Sequence, residues 1–290
     1  RNWSGANRCM PVTDRYLRED LAGSPGARDL LAWAKELADA APPEAIYRHK
    51  EGRRTLRFEY RDSSFFLKLH TGVGWAEILK NLLQLRLPVI SARNEYEAIR
   101  ALEAIDVDTM TVAAFEQRGA NPAHRRSMLI TDDLVGTVSL EDFCADWASN
   151  PPSPALRIRL VCTLAAIARR MHAAGINHRD FYLCHFHLDL STVDSPRPRC
   201  HVIDLHRAQQ RNAVPRRWLV KDLAGLYFSA MDCGLTQRDL LRFLRHYESG
   251  GLRVALGQRA ALWRSVTQRA QQLYRRERGV APPPLAGARP

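Results

Sequence analysis

The sequence predicts an α+β chain of two lobes: an N-terminal antiparallel sheet of five strands with accompanying helices, then a mainly helical C-terminal lobe. Three observations carry this. Apolar and polar residues alternate with period two through residues 45–70, and again through 110–116 and 127–131. From Ala155 onward the apolar residues recur at helical spacing, interrupted by two stretches, residues 176–185 and 202–207. Each of those stretches follows an apolar run with an aspartate, Asp180 and Asp204, which is how a scaffold presents carboxylates to a reacting phosphate.

Taken in order, residues 1–9 are polar, irregular and precede Met10. They are set aside, as foreign to the native chain or as an over-extended start, within an N-terminal extension, residues 1–23, expected to be partly flexible or foreign. Leu30, Leu31, Trp33, Ala34 and Leu37 give a helix over residues 29–41, stopped by Pro42-Pro43. Three strands follow as a meander, with turns at residues 51–54 and 61–62. Helices are predicted over residues 75–87 and 92–105, and two more strands complete the N-terminal lobe, residues 24–131. Ser139 caps a short helix with Asp142 three positions on, Pro151-Pro152-Ser153-Pro154 is a linker, and helices run on to about residue 276. That makes residues 132–280 the second lobe and residues 281–290 a disordered tail.

The composition narrows the partners. The 290 residues are 46% hydrophobic and 26% charged, enough for a full core, and the net charge of +12 attracts phosphates, carboxylates, acidic proteins or an anionic membrane face. No apolar run approaches membrane-spanning length and no signal-peptide core is evident, so a soluble cytoplasmic chain is expected. Six cysteines without C-x-x-C spacing read as reduced thiols. The chain has no recognised nucleic-acid-binding motif and its aromatics fall mainly at core spacing, so nucleic acid is not expected as a partner.

His178-Arg179-Asp180 is the catalytic-loop signature of eukaryotic-type kinases, and Asp204 follows at the distance of their second, metal-binding aspartate. Asp180 is then the base for the acceptor hydroxyl, His178 and Arg179 support it, and Asp222 anchors the loop backbone. Lys68 stands inside the third strand, where kinases keep the lysine on the nucleotide phosphates; the alternative is an outward-facing lysine on a solvated strand. Its expected ion-pair partner is Glu95, with Glu97 as fallback. Gly52, Arg53, Arg54 and Thr55 form the nucleotide-covering turn, or else a solvated hairpin, with one glycine where protein kinases have three. ATP and Mg²⁺ are the implied cofactors, the metal on Asp204 and His185. Histidine stands at 185 in place of asparagine, and five of the ten histidines cluster here, so a zinc site is the competing reading. Arg207, Arg211, Arg216 and Arg217, with Lys221, form a basic run after Asp204 that is either a substrate wall or a solvated loop.

The motifs Glu51-Gly52-Arg53-Arg54-Thr55-Leu56-Arg57, Gly74-Trp75-Ala76-Glu77-Ile78-Leu79-Lys80-Asn81-Leu82, residues 177–186, residues 203–209 and Lys221-Asp222-Leu223-Ala224 resemble the lipopolysaccharide core heptose(I) kinase family of Gram-negative bacteria. The resemblance spans residues 17–274. It implies a two-lobed protein kinase-like fold and ATP-dependent phosphorylation of the first inner-core heptose at its 4-hydroxyl. It also implies an inner-core glycolipid acceptor and peripheral contact with the anionic cytoplasmic face of the inner membrane. A kinase of a core sugar acid or of protein tyrosine shares the same catalytic residues. The glycolipid's phosphates and carboxylates suit the basic run after Asp204, and the net charge suits an acidic partner such as an acyl carrier protein.

Overall fold

A computed structural model of the chain describes residues 14–50, 52–72, 74–75, 79–80 and 91–287. Residues 1–9 and most of the helix predicted over residues 75–87 lie outside that set. The chain divides into two compact units, one of residues 1–93 and 112–132, the other of residues 94–111 and 133–290.

Among the described residues the first unit is built on a six-stranded antiparallel sheet in the order β1-β5-β6-β4-β3-β2. Its strands are β1 (Arg15–Leu17), β2 (Ile46–Lys50), β3 (Arg53–Tyr60), β4 (Ser63–His70), β5 (Val112–Arg118) and β6 (Arg126–Asp132). Five strands were expected; the sixth, β1, pairs its three residues with Ala114, Phe115 and Glu116 of β5. Three residues are too few to display a period, and they fall in the segment set aside as an extension. Helix α1 (Leu30–Ala40) begins where the Asp29 carboxylate accepts from the Ala32 amide at 3.1 Å. It buries Leu30, Leu31, Trp33, Ala34 and Ala38 against one sheet face, formed by Leu56, Phe65, Leu67, Leu69, Met128 and Ile130. Trp33 meets Phe58 and Tyr60 edge-on, both at 5.8 Å.

This packing sets the parity of every strand. With Phe65, Leu67 and Leu69 turned to the α1 core, Phe66, Lys68 and His70 stand on the opposite face. Lys68 is therefore opposite Thr55 on one side and Leu129 on the other, held between two paired strands.

The second unit holds α2 (Arg93–Glu103, from Asn94 on), the short α3 (Leu140–Phe143), α4 (Pro154–Ala173), α5 (Arg216–Ala230), α6 (Gln237–Tyr247), α7 (Gly251–Leu256) and α8 (Ala260–Arg278). Local capping explains several starts. Ser139 accepts from the Asp142 amide, Ser153 precedes Pro154 and accepts from Leu156, and Thr236 with Asp239 forms a reciprocal capping box. Helix α5 packs on α8 and α4 on α6. Small strands that the sequence did not reveal make two further sheets: β10-β9-β7, from Thr137–Ser139 (β7), Phe186–Asp189 (β9) and Cys200–Val202 (β10), and the pair β11-β8, from Ile176–Asn177 (β8) and Gln209–Gln210 (β11).

Residues 94–111 precede β5 in the chain but pack with the helical unit, for a visible reason. The Val202 amide donates to Asp108 O at 2.8 Å and the Thr109 hydroxyl donates to Val202 O at 2.6 Å, tying this segment to β10.

Leu67 is fully buried at the centre of the α1 core. Leu67→Ala is expected to cost about 2–5 kcal/mol in denaturant unfolding monitored by circular dichroism; a loss under about 1 kcal/mol would contradict this packing.

Candidate active site

The segment from Ile176 to His185 is held from beneath by one carboxylate. Asp222 on α5 has no solvent exposure, and its two oxygens accept from the amides of His178 (2.6 Å) and Arg179 (2.8 Å). Such hydrogen bonds are what make a buried carboxyl group tolerable. They also hold Arg179 at φ +77°, in the left-handed region that a non-glycine residue avoids. One turn along α5, Gly225 lets the loop sit directly on the helix: a Cβ there would lie 3.0 Å from Phe181 O. Farther along the same helix, the Ser229 hydroxyl accepts from the Leu183 amide at 2.9 Å.

His178 joins the two aspartate-bearing stretches. Its Nε2 donates to Ile203 O at 2.9 Å while its Nδ1 accepts from the Asp180 amide at 3.3 Å, a pattern only neutral imidazole can make. Complete burial holds its pKa below the ordinary value, against the pull of the Asp222 carboxylate.

Asp204 adopts a left-handed conformation, φ 58° and ψ 49°, at the end of β10. Two histidines clasp its carboxylate: His206 Nδ1 lies 2.5 Å from Oδ1 and His185 Nε2 lies 3.5 Å from Oδ2. The other ring nitrogen of His185 donates to Asp180 O at 2.6 Å. Burial disfavours the charged His185 ring, but the Cys184 sulfur, the Asp180 carbonyl and the Asp204 carboxylate together outweigh it and push the pKa up to about 9. His185 thus lies between the Asp180 carbonyl and the Asp204 carboxylate, beside the expected metal-binding oxygens. Among the described residues no group of three or more His, Cys, Asp or Glu side chains could hold a metal ion. Magnesium, which takes one or two carboxylates and completes its shell with water and phosphate, fits Asp204.

The Asp180 carboxylate carries two cations. Arg207 Nη1 is 3.0 Å from both oxygens and Lys221 Nζ is 3.8 Å from Oδ1. Burial, Arg207 and Arg179 lower the Lys221 pKa, with Asp180 acting in the other direction. The basic wall expected after Asp204 is thus dispersed. Arg207 is on Asp180, while Arg211 turns inward to Asn177 Oδ1 (2.8 Å) and Gln209 Oε1 (2.6 Å). Arg216 is tied to Ala261 O and Ser265 Oγ on α8, and Arg217 lies exposed over the Trp218 ring. The cause is local: each guanidinium has a carbonyl, amide oxygen, carboxylate or ring within reach.

In the first unit, Gly52 has φ +69° and its carbonyl accepts from the Thr71 amide at 2.9 Å; a Cβ would meet Gly72 O at 2.4 Å. Arg53 and Thr55 share the sheet face of Lys68, but Arg54 does not. Arg54 reaches the α1 side, donating to Ala38 O (3.1 Å) and Asp39 Oδ1 (2.9 Å), so its expected nucleotide role is corrected by strand parity. Glu95 is buried on the first turn of α2 in the second unit.

Sequence reasoning overlooked Asn94. Its side-chain amide donates to the carbonyls of His206 and Ala208, both at 2.9 Å, and so fastens α2 to the turn after Asp204. A glutamate was sought on that helix, and nothing in the pattern marks an asparagine beside it. Trp218 was also missing from the expected site, and Lys221 was expected in the basic run rather than beside Asp180. The pairing of Lys221 with Asp222 on one helical turn was the available signal.

Residues 40–247 match the model described as the "Lipopolysaccharide kinase (Kdo/WaaP) family". The chain belongs to that family. It is a phosphotransferase of lipopolysaccharide core biosynthesis. Among curated proteins it is similar to the lipopolysaccharide core heptose(I) kinase WaaP of Pseudomonas aeruginosa, 50% identical over 234 residues, covering 80% of this chain and 87% of the relative. It is also similar to the protein of the same name from Escherichia coli K12, 47% identical over 261 residues, covering 90% and 97%. A solved structure, "WaaP in complex with acyl carrier protein", matches with a TM-score of 0.76 and 41% identity, covering 90% of this chain and all of that one. This likeness agrees with the two-lobed kinase-like α+β fold expected from the sequence.

Two measurements check the geometry. Asp222→Ala should lower turnover by about 10²-fold or more through misplacement of the loop; unchanged turnover would remove its anchoring role. In metal-free protein, imidazole NMR should show His178 neutral above pH 6.5 and His185 deprotonating only near pH 9. The linked stability has opposite signs: the part from His185 is complete below about pH 6.5 and lost as pH rises through about 9, whereas the part from His178 is present above 6.5 and lost on acidification. An ordinary titration of His185 would dissolve the clasp.

Proposed function

We propose that the chain phosphorylates the first heptose of the lipopolysaccharide inner core at its 4-hydroxyl, with ATP as donor. The observation that carries this reading is the rigid presentation of Asp180 by the Asp222-anchored loop, with Asp204 tied to the same loop through His178 and His185. The curated relatives, all named heptose(I) kinase and about half identical, support heptose over another core sugar.

In this mechanism the acceptor hydroxyl gives its proton to Asp180 as its oxygen attacks the terminal phosphorus of ATP, and ADP leaves with the electrons of the broken P–O bond. Lys68 holds the nucleotide phosphates, and Arg53, Thr55 and the backbone at Gly52 cover them. Asp204 carries Mg²⁺, which when bound supplies charge neutralisation for the phosphate oxygens. His185 and His206 keep the Asp204 carboxylate oriented. Arg217, exposed beside Trp218, is the member of the basic run best able to meet an anionic group of the glycolipid.

An acidic acyl carrier protein is the proposed macromolecular partner. The solved relative bound to such a protein supports this, as do the exposed arginines of α8, Arg264, Arg269, Arg275, Arg276 and Arg278. No described helix is long and apolar enough to cross a membrane, and the net charge of +12 suits peripheral attachment at the anionic cytoplasmic face of the inner membrane.

The test pairs chemistry with product. Asp180→Ala is expected to lower phosphate transfer by about 10²–10⁴-fold with nucleotide affinity retained. Mass spectrometry of inner-core oligosaccharide should show one phosphate fewer on heptose in cells without the protein. An unchanged core would reject the acceptor, and a phosphate lost from the sugar acid would replace it.

A further inference from the structure

The loop from Asp180 to His185 reads Phe181, Tyr182, Leu183, Cys184 and supplies no permanent cation beside its own aspartate. Phosphoryl transfer spreads negative charge over three equatorial oxygens, and enzymes meet that charge with arginine, lysine or metal. In this chain such a cation comes from a different element. Trp218, Lys221, Asp222 and Gly225 lie three and four apart on α5 and share one helical face. Asp222 binds the loop amides and Gly225 touches the loop backbone, so Lys221 is carried on the same rigid contact that positions Asp180.

The state of Lys221 is unusual for a lysine. Its side chain is 22% exposed, its Nζ lies over the Trp218 ring at 5.8 Å, and its nearest carboxylate oxygen is at 3.8 Å, beyond hydrogen-bonding distance. Arg207 already bonds both oxygens of that carboxylate. Three cations, Arg179, Arg207 and Lys221, thus face two carboxylates, Asp180 and Asp222, and the second is committed to backbone amides. Positive charge is therefore in excess around Asp180.

We infer that Lys221 is a catalytic cation, whose ammonium passes from Asp180 to the transferring phosphoryl group during turnover. The inference rests on the kinase reading above and deepens it. As the acceptor oxygen bonds to phosphorus and the bond to the ADP oxygen breaks, Lys221 neutralises charge on the equatorial oxygens, and its departure leaves Asp180 less shielded to accept the hydroxyl proton. No proton moves to or from Lys221.

A double-mutant cycle separates this from mere positioning of Asp180. Full-length protein carrying Lys221→Met, Lys221→Gln or Lys221→Arg is assayed with ATP and unphosphorylated core glycolipid, alone and in the Asp180→Ala background. Thermal melts verify folding, and the two neutral variants check one another. Expected are a fall in kcat of about 10²-fold for Met and Gln, KM for ATP and acceptor within about threefold, and partial recovery with Arg. The residual rate of Asp180→Ala should fall by a further tenfold or so when Lys221 is also neutralised. Equal rates with and without Lys221 in that background would show that the lysine acts through Asp180 alone and would overturn the proposal, as would full turnover in Lys221→Met. Asp180→Ala at full rate would instead reject the base assignment, and the two failures are distinguishable.

Discussion

One buried carboxylate sets the active loop. Asp222 donates nothing and accepts two amide hydrogens, and those two bonds fix where the next residue, Asp180, can point. A charge with no exposure is costly to hold, and the cost is met only while both amides stay in place. The same requirement makes the loop and α5 inseparable: moving one strands a charge in the other. The positions of Asp180, Lys221 and Arg207 depend on that constraint.

Strand parity does comparable work in the first unit. Burying Leu67 beneath α1 commits Lys68 to the other face, with Thr55 and Arg53 beside it and Arg54 excluded. A side-chain period of two means that neighbours in sequence cannot share a task across a sheet. A run of basic residues read as one functional group is divided by the backbone into two.

The sheet, the long helices and the identity of the two aspartate-bearing stretches were legible because each rests on a local signal: alternation, helical spacing, caps, or a tripeptide with known chemistry. Strands β8 and β11, of two residues each, carry no such signal, and β1 was hidden by its length. Side-chain partners were harder still. Arg211 and Arg216 look alike in sequence, yet one is turned to a buried asparagine and the other to the backbone of α8, a distinction that depends on which tertiary acceptors come near. His185 read as a metal ligand from its position, and its contacts with the Asp180 carbonyl and the Asp204 carboxylate had no signal in the sequence. Asn94 gave no warning at all.

That asparagine has a pharmacological consequence. Its amide holds two carbonyls of the turn after Asp204, and both aspartate oxygens have histidine partners. At about 1 kcal/mol for each neutral bond and somewhat more for the charged ones, turning this segment over would cost at least about 3 kcal/mol. Less than about 1% of molecules would then occupy the overturned arrangement. An inhibitor that works by capturing a flipped aspartate would pay that penalty in affinity before making its first contact, so compounds shaped to the segment as it stands have the advantage.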